Sequence, residues 1–262
     1  MSKLRLDALL TERGLFSSRS RAAASVLAGE VTLGDHGQRA SKPGQMVSSD
    51  AAVAIREGPR YASRGGVKLA NALAATGVGV EGRHCLDVGA STGGFTDCLL
   101  QHGADHVVAA DVAYGELAWK LRNDSRVTVL ERVNARRLEP SALPYAPDLI
   151  AIDVSFIGLA KVLPAALACA APRFDCLALC KPQFEVGRER VGSGGVVRDA
   201  GDRRAALVAV GTVARELGAA VLGFVSSGLL GPKGNLETFV WLAEGSRGGV
   251  EDLERAAGEV EP

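Results

Sequence analysis

Cys85-Leu86-Asp87-Val88-Gly89-Ala90-Ser91-Thr92-Gly93-Gly94-Phe95-Thr96-Asp97 passes from an apolar run through small residues into a stretch with helical spacing. A strand that turns into a helix in this way is the building unit of an α/β sheet. Its small residues let backbone N–H groups approach a ligand at the helix N-terminus. The pattern is D-x-G-x-S-x-G rather than the G-x-G-x-x-G of a dinucleotide site, so no pyrophosphate cradle is implied. Asp111 ends the next apolar run, where an acidic side chain can accept hydrogen bonds from ribose hydroxyls. Turn and acid together imply a nucleoside cofactor without a diphosphate, S-adenosylmethionine. Its expected contacts are Gly89, Ala90, Ser91, Thr92, Gly93, Phe95 and Asp111, with Glu131, Asn134 and Asp153 on the same rim.

Outward from this unit, short apolar runs alternate with helical stretches, which predicts a mostly parallel seven-stranded sheet with helices on both faces. Strands are expected at 84–88, 106–111, 127–130, 148–153, 175–181, 220–225 and 238–242, and helices at 64–76, 93–102, 157–170 and 201–217. On the N-terminal side, Leu4, Leu6, Leu9 and Leu10, then Ala22, Ala23, Val26 and Leu27, fall at helical spacing and are split by Gly14 and Ser17-Ser18. Two short helices follow, then strands at Val31-Thr32-Leu33 and Val53-Ala54-Ile55, with turns at Gly34-Asp35 and Lys42-Pro43-Gly44. The expected organisation is a small α+β domain over 1–57, a linker over 58–62, an α/β domain over 63–243, and an acidic tail over 244–262 that forms at most a frayed helix.

The 262 residues are 47% hydrophobic and 23% charged, so the chain has enough apolar surface to fold. Net charge is zero, but residues 1–22 hold five basic and two acidic side chains, which directs any polyanion to that end. The five cysteines form no CxxC pair, and neither a zinc site nor a disulfide framework is expected. With no signal peptide and no apolar stretch of spanning length, a cytoplasmic protein is expected.

The residues at the rim bear on which atom is modified. Enzymes that methylate base amines place Asn/Asp-Pro-Pro-aromatic where this chain has Asp153-Val154-Ser155-Phe156, and Cys180, the nearest thiol, lies inside an apolar strand. Lys68, Asp153, Lys181 and Glu237 remain, charged residues set in apolar surroundings. A ribose hydroxyl is a poor nucleophile and needs a base or a cation to stabilise the developing alkoxide, which a desolvated lysine can supply.

Taken with Ser63-Arg64-Gly65-Gly66-Val67-Lys68-Leu69, Ala110-Asp111-Val112-Ala113-Tyr114-Gly115, Glu131-Arg132-Val133-Asn134-Ala135-Arg136, Lys181-Pro182-Gln183-Phe184-Glu185-Val186-Gly187 and Gly234-Asn235-Leu236-Glu237, the sequence resembles the TlyA-type rRNA cytidine 2′-O-methyltransferases, also known as haemolysin A. The resemblance implies a Rossmann-like class I methyltransferase domain similar to the FtsJ group, with a Lys-Asp-Lys-Glu tetrad at Lys68, Asp153, Lys181 and Glu237. The N-terminal segment resembles the αL RNA-binding domain of small-subunit ribosomal protein four through Arg5-Leu6-Asp7, Arg13-Gly14, Ser18-Arg19-Ser20-Arg21 and Gly29-Glu30-Val31. Arg5, Arg13, Ser18, Arg19, Arg21 and Arg64 are therefore candidate RNA contacts, and Arg188, Arg190 and Arg198 candidate phosphate contacts. The implied partner is ribosomal RNA within ribosomal subunits, 16S, 23S or both, acted on by a monomer or weak dimer with no metal, membrane or obligate protein partner. Two other classes compete: a non-catalytic ribosome-assembly factor, which has no need of paired lysines and acids, and a cytolysin, for which no membrane-active segment is visible.

Overall fold

The structure, a computed structural model, describes residues 3–34, 37–55 and 59–261. By its contacts the chain divides into two units, Met1–Arg60 and Tyr61–Pro262. The first contains β1 (Lys3–Arg5), α1 (Leu6–Glu12), α2 (Arg19–Ala28), β2 (Val31–Leu33), β3 (Gln38–Arg39), β4 (Met46–Ser48) and β5 (Val53–Ile55). Ser18 caps α2 by accepting the Arg21 N–H, and Gly29, at φ 80°, ends it in the left-handed region. Leu6, Leu10, Ala22 and Val26 pack with Val31 and Val47 in a small core. The β1–β4 ladder and β3 go beyond the sequence reading, because strands of two or three residues carrying charges have no alternation to recognise. The Asp35-His36 part of the expected turn and residues 56–58 of the breaker segment lie outside the described residues.

The second unit contains α3 (Arg64–Thr76), β6 (His84–Val88), α4 (Gly94–Gln101), β7 (His106–Asp111), α5 (Trp119–Arg122), β8 (Val127–Glu131), β9 (Leu149–Ile152), α6 (Leu163–Ala168), β10 (Asp175–Cys180), α7 (Pro182–Glu185), α8 (Ala200–Glu216), β11 (Ala219–Ser226), β12 (Thr238–Glu244) and α9 (Leu253–Val260). The strands form one sheet in the order β11-β12-β10-β9-β6-β7-β8, in which β12 runs antiparallel to both its neighbours. Period-two alternation sends Leu86, Val88, Ile150, Ile152 and Cys176 into a core with Leu163, Leu207 and Val210 of α6 and α8. Cys85, Leu149, Leu177 and Leu179 face the other way, into a core with Leu69, Leu73 and Leu99 of α3 and α4. Buried on both faces, these strands read as continuous apolar runs. Since β12 is reversed, its first residue lies at the carboxyl ends of the parallel strands, with Thr238 opposite Cys180.

Two expectations are corrected. The helix expected over 157–170 is a short 3-10 turn, Leu159–Lys161, followed by α6, because Pro164 occupies the first turn of a new helix. The expected acidic tail is instead part of the fold. Its first residue, Glu244, ends β12, and α9 buries Leu253 and Ala257, four residues apart, beneath an acidic outer face. Asp252 caps α9 through the Arg255 N–H at 3.0 Å.

Candidate active site

Where β6 ends, Gly89 has φ +88°, and a Cβ there would lie 2.4 Å from the backbone oxygen of Asp153. Only glycine fits that conformation beside a neighbouring backbone. Ser91 also has positive φ, and its N–H donates to Asp111 Oδ2 at 2.7 Å, while the Ala113 N–H donates to Oδ1 at 2.7 Å. Asp111 thus shapes the turn and keeps lone pairs free for further donors. Beneath the turn, Asp87 Oδ2 accepts the Thr96 N–H at 2.8 Å and its hydroxyl at 2.6 Å, fixing the start of α4. Burial pushes the Asp87 carboxyl up to about 7.

The turn separates two cavities of about 710 and about 1000 Å³ that share Gly89, Ser91 and Asp153. Asp111, Asn134 and Ala135 line the larger one. Lys68, Asp153, Lys181 and Glu237 all line the smaller one, together with Ala90, Thr92, Phe95 and Arg64. Lys181 Nζ is 2.6 Å from Asp153 Oδ1 and donates to Ser155 Oγ at 2.9 Å. Lys68 Nζ pairs with Glu237 Oε2, and both residues are buried. Glu237 Oε1 is buried and, among the described residues, has no hydrogen-bond partner.

Not every expected contact reaches a cavity. Gly93 lines neither; its φ of +92° starts α4, and a Cβ there would strike Leu121 at 2.2 Å. Phe95 is 3% exposed and packs on Phe239, so most of the ring belongs to the core. Glu131 is held by the Gly115 N–H and by Arg122. Asn134 accepts the Arg136 N–H at 3.1 Å, and Arg64 donates to Leu230 O at 2.7 Å. In the N-terminal unit, Arg5 and Arg19 both reach the carboxylate of Asp7, and the Arg5 hydrogen bonds hold Asp7 at about 2. Arg13 donates to the carbonyls of Ala51 and Ser49 at 2.8 and 2.7 Å. Arg21 is less engaged, with one contact to Ser17 Oγ at 3.5 Å.

Sequence reasoning passed over Ser155 as a partner of Lys181, and over Phe156, which lines both cavities, is 91% exposed and has φ 65°. All five cysteines are buried, and burial raises the Cys180 thiol well above its ordinary value, unlike a nucleophile. Among the described residues no helix is long and apolar enough to cross a membrane, and no group of His, Cys, Asp and Glu could hold a metal ion.

A seven-stranded sheet with one reversed strand, a glycine turn after the interior strand β6 and an acid ending its neighbour β7 define a class I methyltransferase. The chain belongs to the FtsJ-like methyltransferase family, whose model matches residues 61–244. The 16S/23S rRNA (cytidine-2′-O)-methyltransferase TlyA of Mycobacterium tuberculosis is 51% identical over 242 residues, covering 92% of this chain and 90% of that protein. Hemolysin A of Brachyspira hyodysenteriae is 39% identical over 75% of this chain and 81% of its own length. A solved structure from Streptococcus thermophilus, of a protein bearing the name hemolysin, superposes with TM-score 0.74 at 38% identity, covering 99% of this chain and 96% of that one.

Proposed function

We propose that this methyltransferase moves a methyl group from S-adenosylmethionine to the ribose 2′-hydroxyl of a cytidine in ribosomal RNA, with Lys68, Asp153, Lys181 and Glu237 as its catalytic set. The observation that carries the reading is the convergence of these four side chains on one cavity. The residues fit the cofactor: the small residues Gly89, Ala90, Ser91 and Thr92 line the cavities and leave them open, and Asp111 and Asn134 line the cavity that suits an adenosine. When bound, the cofactor supplies an electrophilic methyl carbon on a sulfonium.

The chain's own groups then act on the hydroxyl. The Glu237 carboxylate would accept its hydrogen bond and take the proton released when the methyl passes from sulfur to oxygen, and Lys68 balances the carboxylate's charge. The Lys181 ammonium, aimed by Asp153 and Ser155, stabilises negative charge developing on the oxygen in a site largely screened from water. Exposed Phe156 offers a ring on which an unstacked base can rest, as recognition of a splayed-out nucleotide requires. The basic N-terminal unit supplies affinity for RNA phosphates, with Arg21 the least committed of its expected contacts. The choice of cytidine and of ribosomal RNA rests on the named activity of the mycobacterial relative.

Purified protein incubated with separated ribosomal subunits and labelled cofactor, followed by mass mapping of 16S and 23S rRNA, tests the reading. A cytidine 2′-O-methyl mark is expected. Lys181→Ala should retain binding of cofactor and subunits while turning over on the order of a hundredfold more slowly. A methyl group on a base, or near-normal turnover in that variant, overturns the assignment.

A further inference from the structure

We propose that Glu185, which does not itself touch the reacting groups, is a positioning residue for this reaction: its carboxylate ties the loop bearing Asp153 and Ser155 to the segment bearing Lys181, and so holds the lysine's ion pair in place. The inference rests on the function proposed above and extends it to a side chain outside the catalytic set.

Two stretches, 153–159 and 181–185, run side by side at the rim and meet at three places. At one end Lys181 Nζ reaches Asp153 and Ser155. In the middle the rings of Phe156 and Phe184 lie 5.3 Å apart. At the other end Glu185 Oε1 accepts the Leu159 N–H at 2.8 Å. That N–H opens the Leu159–Lys161 turn, whose cap position, Gly158, has no side chain to satisfy it. Glu185 therefore performs the capping task from a separate segment, and the loop approaches so closely that a Cβ at Gly158 would lie 3.0 Å from Glu185 Oε2. Loop 153–159 is otherwise irregular, and Phe156 within it adopts a left-handed conformation that needs outside support. Asp153 is anchored to the sheet by its N–H, which donates to Val88 O at 2.9 Å, and beyond it the Glu185 tie adds to the lysine's own contacts and the aromatic pair in joining the loop to the Lys181 segment. The carboxylate sits in surroundings poor enough in water that burial pushes it up to about 7, and among the described residues it has no ion-pair partner. The Leu159 N–H is thus its principal polar contact, and the tie is specific.

Three variants of the full chain separate positioning from bulk stability. Glu185→Ala removes the acceptor; kcat on ribosomal subunits is expected to fall on the order of tenfold, because displacements of about 1 Å at a reacting centre are costly. KM for subunits and Kd for the cofactor should stay within about twofold. Glu185→Gln keeps an acceptor at the same reach and should restore kcat to within about twofold of wild type. Glu185→Asp keeps the charge but withdraws it by one methylene, and should resemble the alanine variant; this comparison also serves if the alanine variant does not fold. Normal kcat in Glu185→Asp, or equal impairment of Glu185→Gln and Glu185→Asp, overturns the inference. Failure of the functional reading looks different: the wild-type protein itself would then leave no 2′-O-methyl mark.

Discussion

Replacing Asp87 by asparagine should flatten the pH dependence of stability. Asp87 is fully buried, with one oxygen satisfied twice by Thr96 and the other without a hydrogen-bond partner among the described residues. Burial raises its pKa from 3.8 to about 7, and the nearby carboxylates of Asp153 and Asp111 add to the shift against the opposing Thr96 bonds. The folded chain therefore holds a proton that the unfolded chain has already released. The resulting destabilisation is absent below about pH 3.8, grows as pH rises, and is complete above about pH 7. Linkage between those two values gives about 2 kcal/mol at pH 5 and about 4 kcal/mol at pH 8. Asparagine still accepts from Thr96 and never ionises. Relative to wild type, the variant should thus gain about 2–3 kcal/mol between those pH values, or roughly 5–10 °C in Tm for a unit of this size. Denaturant and thermal unfolding of both proteins across that range measure it. Parallel curves would show that Asp87 does not exchange its proton on folding and would refute the reasoning.

Gly89→Ala forces a side chain into a left-handed turn and against the Asp153 carbonyl, so cofactor affinity measured by calorimetry should fall by about tenfold or more; wild-type affinity would remove the turn from the binding site. Glu261→Ala removes the acceptor of Arg203 Nε at 2.8 Å and of the Thr238 hydroxyl at 3.1 Å, leaving a half-buried guanidinium without its counter-charge and held only through the Arg198 and Val197 carbonyls among the described residues. Unfolding in denaturant should show a loss of about 3 kcal/mol, and a loss under about 1 kcal/mol would mean that the arginine finds water instead.

The sheet was legible because its strands are buried on both faces and are separated by glycine-marked turns, and the charged set because Lys181 and Glu237 interrupt otherwise apolar runs. The sequence could not distinguish a glycine that makes room for the backbone of a neighbouring segment, such as Gly89 beside Asp153, from one that makes room for a leucine of α5, such as Gly93, since both only report that a side chain is excluded. Charge counting also overstated the freedom of the N-terminal arginines. Arg5 and Arg19 share Asp7, and Arg13 is bound to two carbonyls, pairings created by tertiary approach rather than by spacing. Ser155 and Glu185 escaped notice for the same reason: each is an ordinary polar residue until a distant segment arrives beside it.

The reversed strand at the sheet's flank also bears on the order of assembly. The glycine turn, the start of α4 and Asp111 fall within one short strand–helix–strand unit, so they can form from contacts between near neighbours in the chain. Lys68 and Glu237 are 169 residues apart and meet only when β12 inserts between β10 and β11. Closing so long a loop is entropically costly and belongs late in folding. Until it closes, Lys68 lacks its counter-charge and must stay in water, which makes docking of the last strand and burial of the lysine a single cooperative event. A chain caught before that event can shape the cradle for the methyl donor yet lacks the groups that direct the methyl to its acceptor.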